Sequence, residues 1–142
     1  MIEPGTPAPD FSLRNQDGEE VSLESLRGGT VVLVFYPLDF SPVCTDQLNV
    51  YQEVLGELHA RGVEMYGVSV DSAYSHKAFQ EKLGVSIPLL ADFHPKGAVA
   101  RAFGIMFGAA ALALSLALAI FGLVEDRELG DRAPVAAVPA AD

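Results

Sequence analysis

The sequence predicts an α/β fold, in which β-strands alternate with α-helices. Three apolar segments with strand composition, residues 31–36, 63–70 and 87–92, are separated by segments with helical periodicity. Such alternation is typical of a parallel sheet flanked by helices. A chain of 142 residues is long enough to form one domain with a sizeable core.

The residues before the first of these strands predict a β-hairpin. A short strand ending at Leu13 and a second over residues 21–23 are separated by the turn-forming residues 15–18. Ser22 is a candidate cap for a single helical turn over residues 24–26, which two glycines then end.

Segment 31–36 is a continuous run of β-branched, apolar and aromatic residues. This pattern indicates a strand covered on both faces, and we expect it at the centre of the sheet. The helix after it begins near Cys44 and ends at Gly62. Its buried side consists of apolar residues at helical spacing: Leu48, Tyr51, Leu55 and Leu58.

The second half of the fold repeats the strand and helix pattern. The strand over residues 63–70 leads into a helix that Asp71-Ser72 caps and Gly84 ends. The strand over residues 87–92 contains Pro88, which indicates an edge position because proline cannot donate to a ladder. A short helix over residues 96–103 follows.

Cys44 is the only cysteine in the chain, and it lies at the predicted N-terminus of the first long helix. The free N–H groups of a helix N-terminus carry a partial positive charge that favours a thiolate over a thiol. A lone cysteine is more often a small buried apolar residue. The flanking residues favour the reactive alternative.

Pro37, Ser41 and Cys44 form the motif Pro-x-x-x-Ser-x-x-Cys. It resembles the active-site signature of the peroxiredoxins, which carry Thr or Ser in the middle position, and the resemblance extends over the phrase FYPLDFSPVCT. It implies a thioredoxin-like sheet with flanking helices and the activity of a thiol peroxidase. Cys44 would then attack hydrogen peroxide or an organic hydroperoxide and become a sulfenic acid. Ser41 would hydrogen-bond the peroxide and the thiolate, and Pro37 would shield the cysteine from water.

The resemblance also implies the partners. With one cysteine the chain is similar to the one-cysteine type, whose sulfenic acid is reduced by an external thiol, either a thioredoxin-like protein or a low-molecular-weight thiol. A homodimer is a plausible assembly for this family. A net charge of −10 argues against binding to nucleic acid.

No cofactor or metal ion is implied. The chain's three histidines have no carboxylate or cysteine at ligand spacing, and solvated positions are predicted for them: His59, His76 and His94. Within the motif, Asp39 is predicted to be a turn former, and Tyr36 and Phe40 to be packing groups around the cysteine.

The resemblance covers residues 1–104 and stops at about Ile105. Residues 105–124 carry no charge, and as a helix they would be about 30 Å long, close to the hydrocarbon thickness of a bilayer. This apolar helix is predicted either to enter or associate with a membrane, or to be buried in the domain or a dimer. Residues 125–142 are rich in Ala and Pro and predict a disordered tail.

A domain that ends in this way would lack the last strands of the family's sheet, leaving one side of segment 31–36 unpaired. The family's second arginine would also have no counterpart, because Arg127 and Arg132 lie outside the expected strand context. No leader sequence precedes the domain, so we expect a cytoplasmic domain with residues 105–124 as its candidate membrane anchor.

Three hypotheses follow from this C-terminal departure. The chain is a one-cysteine thiol peroxidase, a membrane-anchored or degenerate thioredoxin-like module without efficient turnover, or a truncated or frame-shifted version of an ordinary peroxiredoxin. The first two are distinguished by the rate at which Cys44 reacts with peroxide.

Overall fold

The computed structural model of the protein describes residues 2–105. Its strands are β1 (Ser12–Asn15), β2 (Glu20–Ser22), β3 (Thr30–Phe35), β4 (Val63–Ser69) and β5 (Leu89–Ala91). Its α-helices are α1 (Pro42–Ala60), α2 (Ala73–Leu83) and α3 (Ala98–Ala102), and Glu24–Leu26 forms one 3-10 turn. These elements confirm the predicted alternation of strands and helices.

The strands form one mixed sheet in the order β2-β1-β5-β4-β3. The predicted hairpin is present as the antiparallel pair β1 and β2, and β1 also pairs antiparallel with β5. Strands β3, β4 and β5 are parallel. Because parallel strands end at the same edge, the loop after β3 and the loop after β4 lie side by side.

One prediction about strand position is wrong, and another is tested only within residues 2–105. Among these residues β3, expected at the centre, stands at one end of the order and pairs with β4, and its central position in the whole chain stays a prediction. Its apolar pattern reflects cover on its two faces, which does not require two neighbouring strands. β5, expected at an edge, lies between β1 and β4. Pro88 precedes its first residue and accepts a hydrogen bond from the Gly67 N–H at 2.9 Å, so the missing proline N–H costs no ladder bond.

Side chains on the two faces of the sheet enter two apolar clusters, as the alternation along a strand requires. Val34 of β3 packs in one cluster with residues of α1 and α2, and Leu33 packs in the other with Phe103 at the end of α3. Leu48 and Leu55 are buried and Tyr51 and Leu58 are partly buried, which confirms the predicted inner side of α1.

The predicted apolar helix over residues 105–124 and the predicted tail over 125–142 lie outside the described residues, apart from Ile105. Ile105 packs against the cluster that contains Phe103. Within residues 2–105, no helix combines the length and the apolar composition needed to span a membrane. The domain boundary at residue 104 and the homodimer stay predictions.

Substitution of Gly67 by alanine is expected to lower the free energy of unfolding by about 1–3 kcal/mol, the usual cost of overpacking a core. A Cβ atom at Gly67 would lie 2.7 Å from Leu89 Cδ2 and 3.1 Å from Tyr36 Cε1, and both side chains are buried. Denaturant unfolding measures the change. Gly56→Ala is the matched control: Gly56 lies in α1 with open space around it, and alanine should stabilise there by roughly 0.5–1 kcal/mol. Equal effects at the two glycines would contradict the close contact at Gly67.

Candidate active site

The first turn of α1 places Ser41 and Cys44 in contact. Ser41 is the N-cap residue, and its Oγ accepts a hydrogen bond from the backbone N–H of Cys44 at 3.3 Å. Pro42 occupies the first helical position, where a missing N–H removes no helical bond. The structure therefore confirms the predicted position of Cys44 at a helix N-terminus.

The serine hydroxyl keeps its own hydrogen for another partner, because its oxygen is the acceptor in this bond. Cys44 is a free cysteine with 2% of its surface exposed. It packs in the cluster that contains Tyr36, Leu48 and Phe79. A reaction at Cys44 would thus take place in a setting that excludes bulk water.

Pro37, the third predicted site residue, is exposed and lies in the loop between β3 and α1. This loop comprises residues 37–41, and its last residue is the N-cap Ser41. The structure thus brings Ser41 and Cys44 together and puts Pro37 at the start of the segment that carries them. Shielding of the cysteine by Pro37 stays a prediction.

A buried polar network lies beneath this loop. The Tyr36 hydroxyl donates to Asp39 Oδ1 at 2.8 Å, and the Ser75 hydroxyl donates to Asp39 Oδ2 at 2.7 Å. Nδ1 of His76 lies 3.1 Å from Oδ1 and 2.9 Å from Oδ2 of the same carboxylate. Because both carboxylate oxygens accept, we assign the ring proton to Nδ1.

The backbone of Asp39 is held as well. Its N–H donates to Asp71 Oδ2 at 2.8 Å, and the Ser69 hydroxyl donates to the same oxygen at 2.9 Å. Ser69 ends β4 and Asp71 lies two residues after it, so the bond from Asp39 ties the loop after β3 to the loop after β4, and the bond from Ser69 holds Asp71 in place. The parallel pairing of the two strands is what places these loops together.

Phe40 lies between Asp39 of the polar network and the N-cap residue Ser41, and its backbone conformation is unusual. Its φ is 60°, in the left-handed region that a residue with a Cβ atom seldom occupies. The residue is 47% exposed, and its ring centroid lies 4.9 Å from that of Phe79 and 5.4 Å from Lys82 Nζ. The conformation is thus held between Asp39 on one side and the N-cap Ser41 on the other.

One prediction about these residues is incomplete and another is wrong. Asp39 lies in a turn, as predicted, but it is also a buried acceptor of three side-chain hydrogen bonds. His76 is 0% exposed, whereas a solvated position was predicted for it. A signal for His76 is present in the sequence, because His76 precedes Phe79 and Leu83 at the i, i+3, i+7 spacing of an inward helix face. No local signal pairs it with Asp39.

The predictions for His59, His94 and Tyr36 agree with the structure. His59 and His94 are exposed. Tyr36 is buried in the same cluster as Cys44, as predicted for a packing group, although its hydroxyl is also part of the polar network. The absence of a bound metal ion stays a prediction; in the described part of the chain, no group of three or more His, Cys, Asp and Glu side chains could hold one.

A model of the AhpC/TSA family matches residues 4–121. The chain belongs to this family. The match confirms the resemblance to the peroxiredoxins, and it continues past Ile105 into the apolar segment.

Named relatives of this AhpC/TSA protein agree with the family. This chain is 38% identical over 106 residues to alkyl hydroperoxide reductase E of Mycobacterium tuberculosis, and the match covers 74% of this chain and 69% of that protein. It is 41% identical over 91 residues to the putative chloroplastic peroxiredoxin Q of Oryza sativa subsp. indica, covering 64% of this chain. The chain spans only 42% of the length of that rice protein.

A solved structure supports the thioredoxin-like fold. The bacterioferritin comigratory protein of Xanthomonas campestris, whose structures concern its alkyl peroxide reduction activity, superposes with a TM-score of 0.63 at 33% identity. The superposition covers 66% of this chain and 59% of that one. This likeness confirms the predicted α/β class with flanking helices. The predicted C-terminal helix lies outside the described residues, so the superposition does not test it.

Electrostatics in this AhpC/TSA site centre on Asp39. Burial raises the pKa of its carboxyl, but hydrogen bonds from His76 and Ser75, the attraction of His76 and the bond from Tyr36 outweigh burial, so the pKa lies below its ordinary value. Burial first, and then the charge of Asp39 and the hydrogen bond to it, raise the pKa of Tyr36 far above its ordinary value. Tyr36 therefore stays protonated and donates to an ionised Asp39.

Asp39→Asn is expected to lose stability relative to the natural protein at neutral pH, and the loss should shrink in acid. The folded pKa of Asp39 lies below the unfolded value of about 3.9, so the carboxylate stabilises the fold above that value, and this contribution disappears as the pH falls through the folded pKa. Denaturant unfolding of both proteins from pH 7 to pH 3 measures the difference. The control is Asp10→Asn, whose side chain is exposed. A difference for Asp39→Asn that grows below pH 4 would contradict the direction of the shift.

Phe40→Gly is expected to be more stable than Phe40→Ala by about 1 kcal/mol, because only glycine takes φ near 60° without a steric cost. Both variants lose the ring contacts with Phe79 and Lys82, so their difference isolates the backbone. Thermal and denaturant unfolding measure it. At position 40 the glycine form should be the more stable one, whereas at position 56 in α1 the alanine form should be. A Phe40→Ala variant as stable as Phe40→Gly would show that the backbone of residue 40 is unstrained.

Proposed function

We propose that the protein is a thiol peroxidase that reduces hydrogen peroxide or organic hydroperoxides through a sulfenic acid on Cys44. The proposal is carried by one observation: Cys44 lies in the first turn of α1, with the Ser41 hydroxyl 3.3 Å from its amide nitrogen, inside the motif shared with the family. Membership of the AhpC/TSA family supports it.

In the first step the Cys44 thiolate attacks one oxygen of the hydroperoxide. The S–O bond forms as the O–O bond breaks, and the sulfur is oxidised to a sulfenic acid. The other oxygen leaves as hydroxide or alkoxide and takes up the proton that the Cys44 thiol released on ionising, which gives water or an alcohol. The partial positive charge of the α1 N-terminus favours the anionic sulfur. The free hydrogen of the Ser41 hydroxyl is available to donate to the peroxide, and Pro37 limits the access of water.

In the second step an external thiol reduces the sulfenic acid. Its thiolate attacks the Cys44 sulfur, water leaves, and a mixed disulfide forms. A second thiol then displaces Cys44 and leaves as a disulfide. We take the reductant to be external to these 142 residues, which contain no cysteine besides Cys44.

The rate of Cys44 oxidation tests the proposal. Stopped-flow kinetics with hydrogen peroxide and with an alkyl hydroperoxide should give second-order rate constants about 100-fold or more above that of free cysteine at the same pH, the range that one preorganised hydrogen-bond donor supplies in other enzymes. Dimedone should label Cys44 after one equivalent of peroxide, as shown by peptide mass spectrometry. A rate equal to that of free cysteine would overturn the proposal and favour a module without efficient turnover.

A further inference from the structure

We propose that the buried pair of Asp39 and His76 is a positioning unit for the reaction of Cys44 with peroxide. The pair holds the loop of residues 37–41 so that Ser41 meets the amide of Cys44. This inference rests on the proposed function and adds two residues to the three motif residues Pro37, Ser41 and Cys44.

The first step of the argument is that Asp39 is held from every side. Its carboxylate accepts from Tyr36 at 2.8 Å, from Ser75 at 2.7 Å and from His76 at 2.9 Å, and its backbone N–H donates to Asp71 at 2.8 Å. Charge-assisted bonds of this kind are about twice as strong as neutral ones. The loop is therefore anchored at Asp39 to the loop after β4, to α2 and to the residue that follows β3.

The second step is that the polar contacts of His76 are directed at this loop. The ring is 0% exposed, and its Nδ1 lies against the carboxylate of Asp39 and 3.4 Å from the Tyr36 hydroxyl. Its Nε2 is buried and has no hydrogen-bond partner among residues 2–105. Burial of a polar ring is costly unless it is hydrogen-bonded, and the contact with Asp39 is what compensates here.

The third step connects the anchor to the reacting residues. Only Phe40 separates Asp39 from Ser41, and its left-handed backbone conformation at φ 60° is unfavourable unless the residues on both sides are held. Release of Asp39 would let Phe40 relax and would move Ser41 away from the Cys44 amide. In other enzymes a displacement of about 1 Å at a reacting group costs about 100-fold in rate.

Asp39 and His76 form no bond to the reacting atoms in this scheme, so they are positioning residues. Their effect should appear in a reaction that needs peroxide to be aligned with Ser41 and Cys44. It should be absent from alkylation of the same thiol, which needs no such alignment. The two reactions together separate positioning from a general change in the exposure of Cys44.

The test compares His76→Leu with His76→Asn in the full chain. Leucine has a similar size but no donor, whereas the side-chain amide of asparagine can donate from nearly the same position as Nδ1. For each variant, second-order rate constants are measured with hydrogen peroxide and with iodoacetamide at a temperature where circular dichroism shows the protein folded. We expect His76→Leu to react with peroxide about 10 to 100-fold more slowly, with little change for iodoacetamide, and His76→Asn to recover most of the peroxide rate.

An unchanged peroxide rate in folded His76→Leu would overturn the proposal, and so would an equal fall with both reagents or a failure of His76→Asn to recover the rate. If His76→Leu does not fold, the peroxide rate of Ser75→Ala tests the proposal instead. This variant removes one hydrogen bond to Asp39 at a half-buried position. A selective fall in its peroxide rate supports positioning, and no fall overturns it. Failure of the proposed function is a separate outcome, because the natural chain would then react with peroxide like free cysteine.

Discussion

Replacement of Cys44 by serine is expected to abolish peroxide reduction and the dimedone adduct. A serine hydroxyl does not exist as an anion at neutral pH and forms no sulfenic acid, so the O–O bond has no nucleophile to break it. The measurement is peroxide consumption in the presence of a thiol reductant, with peptide mass spectrometry for the adduct. Because Cys44 is the only cysteine in the chain, any adduct in the natural protein must lie on it.

Two controls make the Cys44 result specific. Circular dichroism should show that Cys44→Ser is folded, since serine differs from cysteine by one atom and the site is already close to the polar cap. Thr45→Ser changes the neighbouring residue of the same helical turn and should keep the peroxide rate. Peroxide consumption by folded Cys44→Ser at the natural rate would show that the chemistry lies elsewhere or that a contaminant is active.

Ser41→Ala is expected to lower the rate constant for peroxide about 100-fold, whereas Ser41→Thr should retain it within a small factor. Alanine removes the hydroxyl that caps the Cys44 amide and that can donate to peroxide, and loss of one such donor costs about 10² to 10³ in other enzymes. Threonine keeps the hydroxyl and is also a good N-cap residue. Stopped-flow kinetics with hydrogen peroxide measures both variants.

Stability distinguishes the capping role of Ser41 from its catalytic role. Loss of the cap alone should lower the free energy of unfolding by about 1 kcal/mol. Ser72→Ala is the matched control, because Ser72 caps α2 through an equivalent bond to the Ser75 N–H at 3.3 Å. Ser72→Ala should lower the free energy of unfolding by a similar amount but lower the peroxide rate constant less than Ser41→Ala does. Equal losses of rate in the two variants would contradict the role of Ser41 as a donor to peroxide.

The sequence by itself determined the local features of this protein. The α/β alternation, the buried side of α1, the cap at Ser72 and the end of α2 at Gly84 follow from hydrophobic periodicity and capping chemistry, which act over a few residues. The position of Cys44 at the start of α1 is determined in the same way. The family resemblance is equally local, because the motif from Pro37 to Cys44 is contiguous.

Only the tertiary structure decided which distant segments meet. The proline before β5 suggested an edge position that is wrong, because a proline at a strand entrance does not encode which strands are neighbours. The pairing of Asp39 with His76 joins positions 37 residues apart. It depends on β3 and β4 being parallel neighbours and on α2 following β4, and no spacing within the sequence specifies that contact.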